Sequence, residues 1–269
     1  MPTILQAAFL GVVQGLTEFL PVSSSAHLIL ARAVFGFDSD QFGLAFDIAC
    51  HVGTLVAVVI YFRHELADMV AALPRLFDPA RDPNARMIWL LVVGTIPAVV
   101  VGVIFGKAIE EHLRIPQVAV VTLAIGAVGL LAAERTGGQT RSDATITMAE
   151  AFWFGCAQAL ALVPGTSRSG ATLTVALLIG LRRAEAARFI FLLSIPAILG
   201  AAAKETPKML KAGFAGDTAT LFLVGVVVSA IVSYVAVKWF IRYLGNHSLD
   251  IFAWYRISLA VAVGLWLFR

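Results

Sequence analysis

Apolar stretches recur along the chain at residues 42–62, 87–106, 117–133, 188–203, 218–241 and 252–268, separated by charged or Pro/Gly-rich connectors. Crossing a bilayer core takes about 20 apolar residues in helix. The pattern therefore predicts six transmembrane helices, of which 188–203 and 252–268 need help from their flanks. Two further apolar regions, 4–35 and 150–181, are broken by a proline followed by small hydroxylated residues, "LPVSSSAH" and "VPGTSRSGAT". After the second break only 171–181 remain before Arg182, about 16 Å of helix at 1.5 Å per residue. That is too short to cross. Each broken region is expected to form a re-entrant helical hairpin, entering and leaving by one face. Such backbone is tolerated at membrane depth only where protein or a water-filled cavity surrounds it.

The two breaks resemble each other. "GVVQGLTEFLPVSSS" (11–25) aligns with "GCAQALALVPGTSRS" (155–169) after one deletion, placing Gln14 on Gln158, Pro21 on Pro164 and Ser24 on Ser167. Three long apolar segments follow each break. The chain reads as one integral membrane domain, 1–269, with a first half 1–135, a polar linker 135–147 and a second half 148–269. Three crossings per half is an odd number, so the second copy must insert upside down. The expected fold is an all-α polytopic membrane protein, six transmembrane helices plus two re-entrant hairpins in an inverted-topology repeat. In that architecture broken helices meet near the midplane and mark the ligand site.

Composition agrees: 59% of residues are hydrophobic, 14% are charged, and mean hydropathy is +0.88, against about a quarter charged in soluble domains. The net charge of +3 is small, and the basic residues sit mainly in "PRLFDPARDPNAR" (74–86), "LRRAEAAR" (181–188) and "KETPKMLK" (204–211). That fits loops at an inner membrane face and not a nucleic-acid surface. Cys50 and Cys156 lie in apolar stretches; two cysteines imply neither a four-ligand zinc site nor a disulfide framework, and both read as small buried hydrophobes. The N-terminus lacks the charged start and cleavage site of a secretory signal and reads as part of the mature fold.

In the second break, Pro164-Gly165 ends one helix, and a Ser or Thr of Thr166–Ser167 caps the next. The amides of the new helix from Ser167 to Gly170, with the positive end of its dipole, make an anion seat. Arg168 adds a planar fork of donors suited to phosphate, and the hydroxyls of Ser167, Ser169 and Thr172 can close around the remaining oxygens. A cation this deep in apolar sequence costs at least ~2.5 kcal/mol, which an anionic ligand would offset. The competing structural reading has Arg168 snorkelling to the membrane edge.

In the first break, Gln14 and Glu18 share a helical face just before Pro21. Ser23, Ser24 or Ser25 can cap the following helix. Glu18 and His27 flank the reversal and are expected to converge, giving a carboxylate, an imidazole and a hydroxyl, the parts of a nucleophile and its acid–base partners. The structural readings are a core histidine for His27, and for Glu18 an ion pair with Arg32 or Arg168. If the breaks meet, the acid, base and hydroxyls of one face the arginine seat of the other, as phosphoryl transfer requires. Elsewhere, Asp47 and His51 read first as an interhelical polar contact and alternatively as a pair that tunes the pocket, Glu134, Glu150 and Glu185 as solvated, and Trp254-Tyr255 as an interfacial anchor without chemistry.

"GLTEFLPVSSSAHLIL" and "PGTSRSGAT" closely resemble the undecaprenyl-diphosphate phosphatase family, the bacitracin-resistance proteins, over essentially the whole chain. The resemblance implies a multi-pass enzyme of the bacterial cytoplasmic membrane, amid membrane lipids, that removes the terminal phosphate of a polyprenyl diphosphate, with its site opening to the outer face. It carries the acidic motif onto Gln14 and Glu18, the serine pair onto Ser23 and Ser24, the histidine onto His27, and the phosphate motif onto Ser167, Arg168, Ser169 and Thr172. Catalysis then falls to Glu18, Ser24, His27 and Arg168, with attack by Ser24, His27 or water left open. Ser25, Gly165, Thr166 and Gly170 complete the substrate contacts. Many members have Glu where this chain has Gln14, which weakens a two-carboxylate Mg²⁺ or Ca²⁺ site; Glu18 with the diphosphate oxygens could still hold a hard cation. A homodimer remains open. The alternative from another class is a transporter or flippase of polyprenyl phosphate. A type-2 phosphatidic-acid phosphatase is excluded, since no histidine follows Ser167-Arg168 until His247 and His27 is preceded by Ser-Ala.

Overall fold

The computed structural model describes residues 3–38, 41–212 and 218–267. Two short helices come first, α1 (Thr3–Thr17) and α2 (Ser24–Phe35). They are followed by α3 (Leu44–Tyr61), α4 (Arg63–Ala72), α5 (Pro83–His112) and α6 (Pro116–Thr136). The order then repeats: short α7 (Met148–Leu160) and α8 (Arg168–Leu178), then α9 (Arg183–Ala212), α10 (Thr218–Leu244) and α11 (Asp250–Leu267). Among the described residues there is one isolated bridge, Arg141 to Leu181, and otherwise only helix.

Six of these helices, α3, α5, α6, α9, α10 and α11, are long and apolar enough to cross a membrane. Four contain a predicted apolar stretch whole, while α3 begins two residues inside 42–62 and ends one short of it, and α11 covers 252–267. The two short stretches gain their flanks: α9 begins at Arg183 and continues through 204–211, read above as a connector, and α11 begins at Asp250. Phe268, the last residue of the predicted final span, lies outside the described residues. Local chemistry sets the starts. Asp82 caps α5, its Oδ1 accepting the Asn84 and Ala85 N–H groups at 2.8 and 3.2 Å. Thr147 and Glu150 close a capping box on α7, which satisfies amides that the first helical turn leaves without acceptors.

Between helices surrounded by lipid the hydrophobic effect gives little, and close backbone approach through small residues holds them together. α1 packs on α10 and α7 on α5. A Cβ added at Gly15 would lie 2.9 Å from the Ser229 carbonyl oxygen on α10, and one at Gly155 would lie 2.7 Å from that of Gly94 on α5. Hydrogen bonds use the same gaps, Ser233 Oγ donating to Gly15 O (3.1 Å) and Gln158 Nε2 to Gly94 O (3.0 Å). α3 meets α9, and α6 meets α11.

Both short helix pairs double back. Phe9 on α1 meets Phe35 at the far end of α2, ring centroids 5.4 Å apart. Arg141 ties the start of α7 to the end of α8, donating to Glu150 Oε1 (2.7 Å) and Ile179 O (2.9 Å). The turn between α1 and α2 is pinned by Phe19, which is 2% exposed and edge-on to Phe191 of α9 at 5.0 Å.

The acidic residues expected to be solvated are not free. Glu134 is buried and pairs with Arg183. Glu150 pairs with Arg141, whose hydrogen bond holds its carboxyl below the usual range. Glu185 pairs with Arg182 and accepts the Asp143 amide at 2.8 Å. Helix ends rich in arginine converge here, so each carboxylate finds a cation and the linker is strapped across them.

Candidate active site at the two helix breaks

Each break is built from a serine in a backbone conformation that side chains seldom adopt. Ser23 (φ 73°) caps α2, its Oγ accepting the Ala26 N–H, and Ser167 (φ 70°) caps α8, its Oγ accepting the Gly170 N–H at 3.1 Å. Positive φ outside glycine costs of order 1–3 kcal/mol and persists where the surroundings enforce it. The cap oxygens lie 3.2 Å from Ser25 Oγ and Ser169 Oγ respectively. By cap role Ser23 corresponds to Ser167, one position off the alignment that placed Ser24 there. The register differs because the second loop carries one more residue between its proline and its cap.

The breaks come together. Ser169 Oγ donates to Leu20 O (2.8 Å), and the Gly165 amide donates to Ser25 Oγ (3.3 Å). The Arg168 side chain forms an ion pair with Glu18 Oε1 across the junction. The Glu18 side chain is 3% exposed, that of Arg168 22%. Oε2 of the same carboxylate accepts Ser24 Oγ (2.7 Å) and Gln14 Nε2 (2.8 Å), and His51 Nε2 lies 3.2 Å away. Glu18 therefore joins a hydroxyl of one break to the guanidinium of the other. An acceptor-only carboxylate beside a hydroxyl is placed to take its proton. Of the two ion-pair partners foreseen for Glu18, Arg168 is the one found.

Beneath this junction lies Arg256 of α11, fully buried. Its guanidinium donates to Pro21 O in the first break (3.3 Å), to Gly165 O and Thr166 O in the second (3.2 and 3.0 Å), and to Thr122 O and Leu123 O of α6 (3.3 and 3.2 Å). A Cβ at Gly126 would lie 2.8 Å from its Cζ, so that glycine leaves room for the fork.

Other expected residues sit differently. His27 does not reach Glu18: Nδ1 bonds the Ser23 carbonyl (2.8 Å) and Nε2 the Tyr255 hydroxyl (2.7 Å), with the two rings stacked. As the fourth residue of α2 it turns back onto its cap carbonyl, which aims the ring at α11 instead of α1. Asp47 does not pair with the His51 ring through its carboxylate, which Arg32 grips in a fork (2.7 and 2.9 Å) and Arg114 also binds; His51 Nδ1 bonds the Asp47 backbone carbonyl at 2.7 Å. Thr172 Oγ1 donates to Arg168 O one turn back (2.6 Å). Tyr255, read as an anchor without chemistry, touches the site through His27.

Comparison with known proteins matches this sequence to a family. The profile of the family described as bacitracin resistance protein BacA covers residues 7–262. The chain belongs to that family. Relatives named undecaprenyl-diphosphatase resemble this BacA-family chain over nearly its full length. The Rubrobacter xylanophilus protein is 47% identical over 98% of both chains, and that of Alcanivorax borkumensis is 47% identical over 97% of this chain and 98% of its own. The Trichlorobacter lovleyi protein is 41% identical over 97% and 96%.

In this BacA-family member, sequence reasoning left Arg256 outside the site and gave His51 at most a tuning role. Both are ionisable groups within apolar spans, a signal that by itself marks functional candidates.

Proposed function

We propose that this protein hydrolyses undecaprenyl diphosphate to undecaprenyl phosphate and inorganic phosphate, recycling the lipid carrier for cell-envelope polymer synthesis. The observation that carries the reading is the Arg168–Glu18–Ser24 chain across the two breaks, in a family whose relatives are named for this reaction. The diphosphate sits on Arg168 and the amides at the start of α8, framed by Ser23, Ser25, Gly165, Thr166, Ser167, Ser169 and Gly170. Ser24 Oγ attacks the terminal phosphorus while its proton passes to Glu18 Oε2. The bond from that phosphorus to the bridging oxygen breaks, and the lipid monophosphate leaves. Water then releases the phosphoryl group from Ser24. Positioning and neutralising the equatorial oxygens supply most of the acceleration, as in phosphoryl transfer generally.

Among the described residues no three His, Cys, Asp or Glu side chains gather around a common point. Beside Glu18 the remaining unpartnered oxygen is Gln14 Oε1. Mg²⁺ and Ca²⁺ take six or more oxygens, so the described residues build no all-protein cage for either, and no step here is routed through one.

The architecture we propose is an inverted-topology repeat with α1–α2 and α7–α8 as re-entrant hairpins from opposite faces. Reciprocal packing supports it, since α1 of the first half lies on α10 of the second and α7 of the second on α5 of the first. Arg63, Arg75, Arg81, Arg86, Arg135, Arg141, Arg182, Arg183 and Arg188 fall on connectors or helix ends that six alternating spans place on one side, whereas Lys107, Arg114 and the stretch 204–211, read above as an inner-face loop, fall toward the other. By charge bias that side is cytoplasmic. The hairpin bearing Glu18 and Ser24 then enters from the outer face of the inner membrane, and we place the mouth of the site there.

The test is phosphate release from polyprenyl diphosphate by purified protein in detergent, where no gradient exists. Release supports the phosphatase, while binding without release would favour a carrier. Arg168→Lys keeps the charge but loses the planar fork, and its release is expected to fall at least about tenfold, one pair of charge-assisted bonds being worth more than 1.4 kcal/mol. For the nucleophile, an acid-stable phosphoserine adduct lost in Ser24→Ala is expected. An acid-labile adduct would move attack to His27, and none under any quench would move it to water.

A further inference from the structure

Glu18 receives the proton of the attacking hydroxyl but is sealed, its side chain 3% exposed, so that proton needs a route out. His51 provides one. It comes from α3, a different helix from both breaks, and its Nε2 stands 3.2 Å from Glu18 Oε2 with 27% of the side chain exposed. Nδ1 faces the Asp47 carbonyl at 2.7 Å, an acceptor only, and so keeps its hydrogen. The Glu18 carboxylate opposite Nε2 is likewise an acceptor only, so at rest both ring nitrogens carry hydrogen. The charged groups facing His51 are Glu18 from the first break and Arg168 from α8. The Asp47 carboxylate on its own helix is already bound by Arg32 of α2 and by Arg114. Arg168 cannot serve as the exit, because a guanidinium does not give up its proton. His27 is turned to Ser23 and Tyr255.

We propose that His51 is the proton relay of the reaction, a positioning residue acting through Glu18. The inference rests on the phosphatase reading above. The Ser24 O–H bond breaks and a proton forms its bond to Oε2. The imidazolium gives its own Nε2 proton to water, and the nitrogen so freed takes the proton from Oε2, which restores the resting pair. The same contact holds Oε2 against the Ser24 hydroxyl between turnovers.

His51→Gln retains a side chain able to hydrogen-bond Oε2 but has no nitrogen that titrates. In detergent its kcat is expected to fall about 100-fold with KM changed by less than about twofold, the usual size of a lost acid–base group. His51→Ala leaves space for a small base, and its rate is expected to rise in proportion to added neutral imidazole, a response that a merely structural role would not give. Both variants are checked by thermal unfolding in the same detergent. A His51→Gln enzyme close to wild-type kcat, a change in KM alone, or a folded His51→Ala enzyme indifferent to imidazole would each overturn the relay. Wild-type protein that releases no phosphate in this assay would instead overturn the phosphatase reading, and the relay with it.

Discussion

Glu18→Gln is expected to lower phosphate release about 1000-fold while leaving a protein that is folded in detergent, the loss being that of a general base. Four donors converge on this carboxylate, from Arg168, Gln14, Ser24 and His51. An amide of the same shape has one acceptor oxygen and one NH₂ group. With the nitrogen at ε2 it meets Gln14, Ser24 and His51; with the nitrogen at ε1 it meets Arg168. Either way Ser24 faces a group that cannot take its proton. Folding survives because the shape is kept and the Arg168 side chain, 22% exposed, has access to water. Binding of inorganic diphosphate is expected to persist or tighten, since Arg168 loses its internal competitor. Measured turnover near wild type would remove Glu18 from the chemistry, and an aggregated variant would make the Glu18–Arg168 pair a structural one.

The transmembrane helices were legible because bilayer thickness imposes their length, so apolar stretches such as 218–241 announce a span without any knowledge of partners. The breaks were legible for a related reason: Pro21 and Pro164 mark the gaps between short helices, although α1 already ends at Thr17 and α7 at Leu160, four residues before the prolines expected to end them. What could not be read was which imidazole reaches Glu18. His27 is near in sequence, but its place in the first turn of α2 sends it to the Ser23 carbonyl, while His51 arrives from α3 by tertiary packing that no local pattern records. Arg256 was hidden by its neighbours. Trp254 and Tyr255 are 54% and 45% exposed and read as an interfacial belt, yet one residue on, about 100° further round the helix, the side chain points to the interior. The serine caps show the same limit from another side. Three consecutive serines all suit a helix start, and only the folded backbone, with φ 73° at Ser23, selects among them.

Arg256→Lys is expected to damage both stability and turnover. The guanidinium reaches five carbonyl oxygens, of Pro21, Thr122, Leu123, Gly165 and Thr166. Three of these belong to the two breaks, so the side chain fixes the distance between the serine-bearing loop and the arginine-bearing loop. An ammonium has three donors and no fork, so at least two of the five bonds to a charged donor are lost. At roughly 1.5–3 kcal/mol for each bond to a charged donor, the loss is about 4 kcal/mol, read as a lower unfolding temperature in detergent. Misplacement of reacting groups by even about 1 Å can cost 100-fold in rate, and here the slip falls between Ser24 and Arg168. Phosphate release is therefore expected to drop by more than 100-fold in the fraction that stays folded. Space matters as much as donors, since a Cβ at Gly170 would lie 2.5 Å from Arg256 Nη1; shortening the side chain to methionine would empty that space without satisfying a single carbonyl. A lysine variant with wild-type turnover would show that the breaks hold their register without this buried cation.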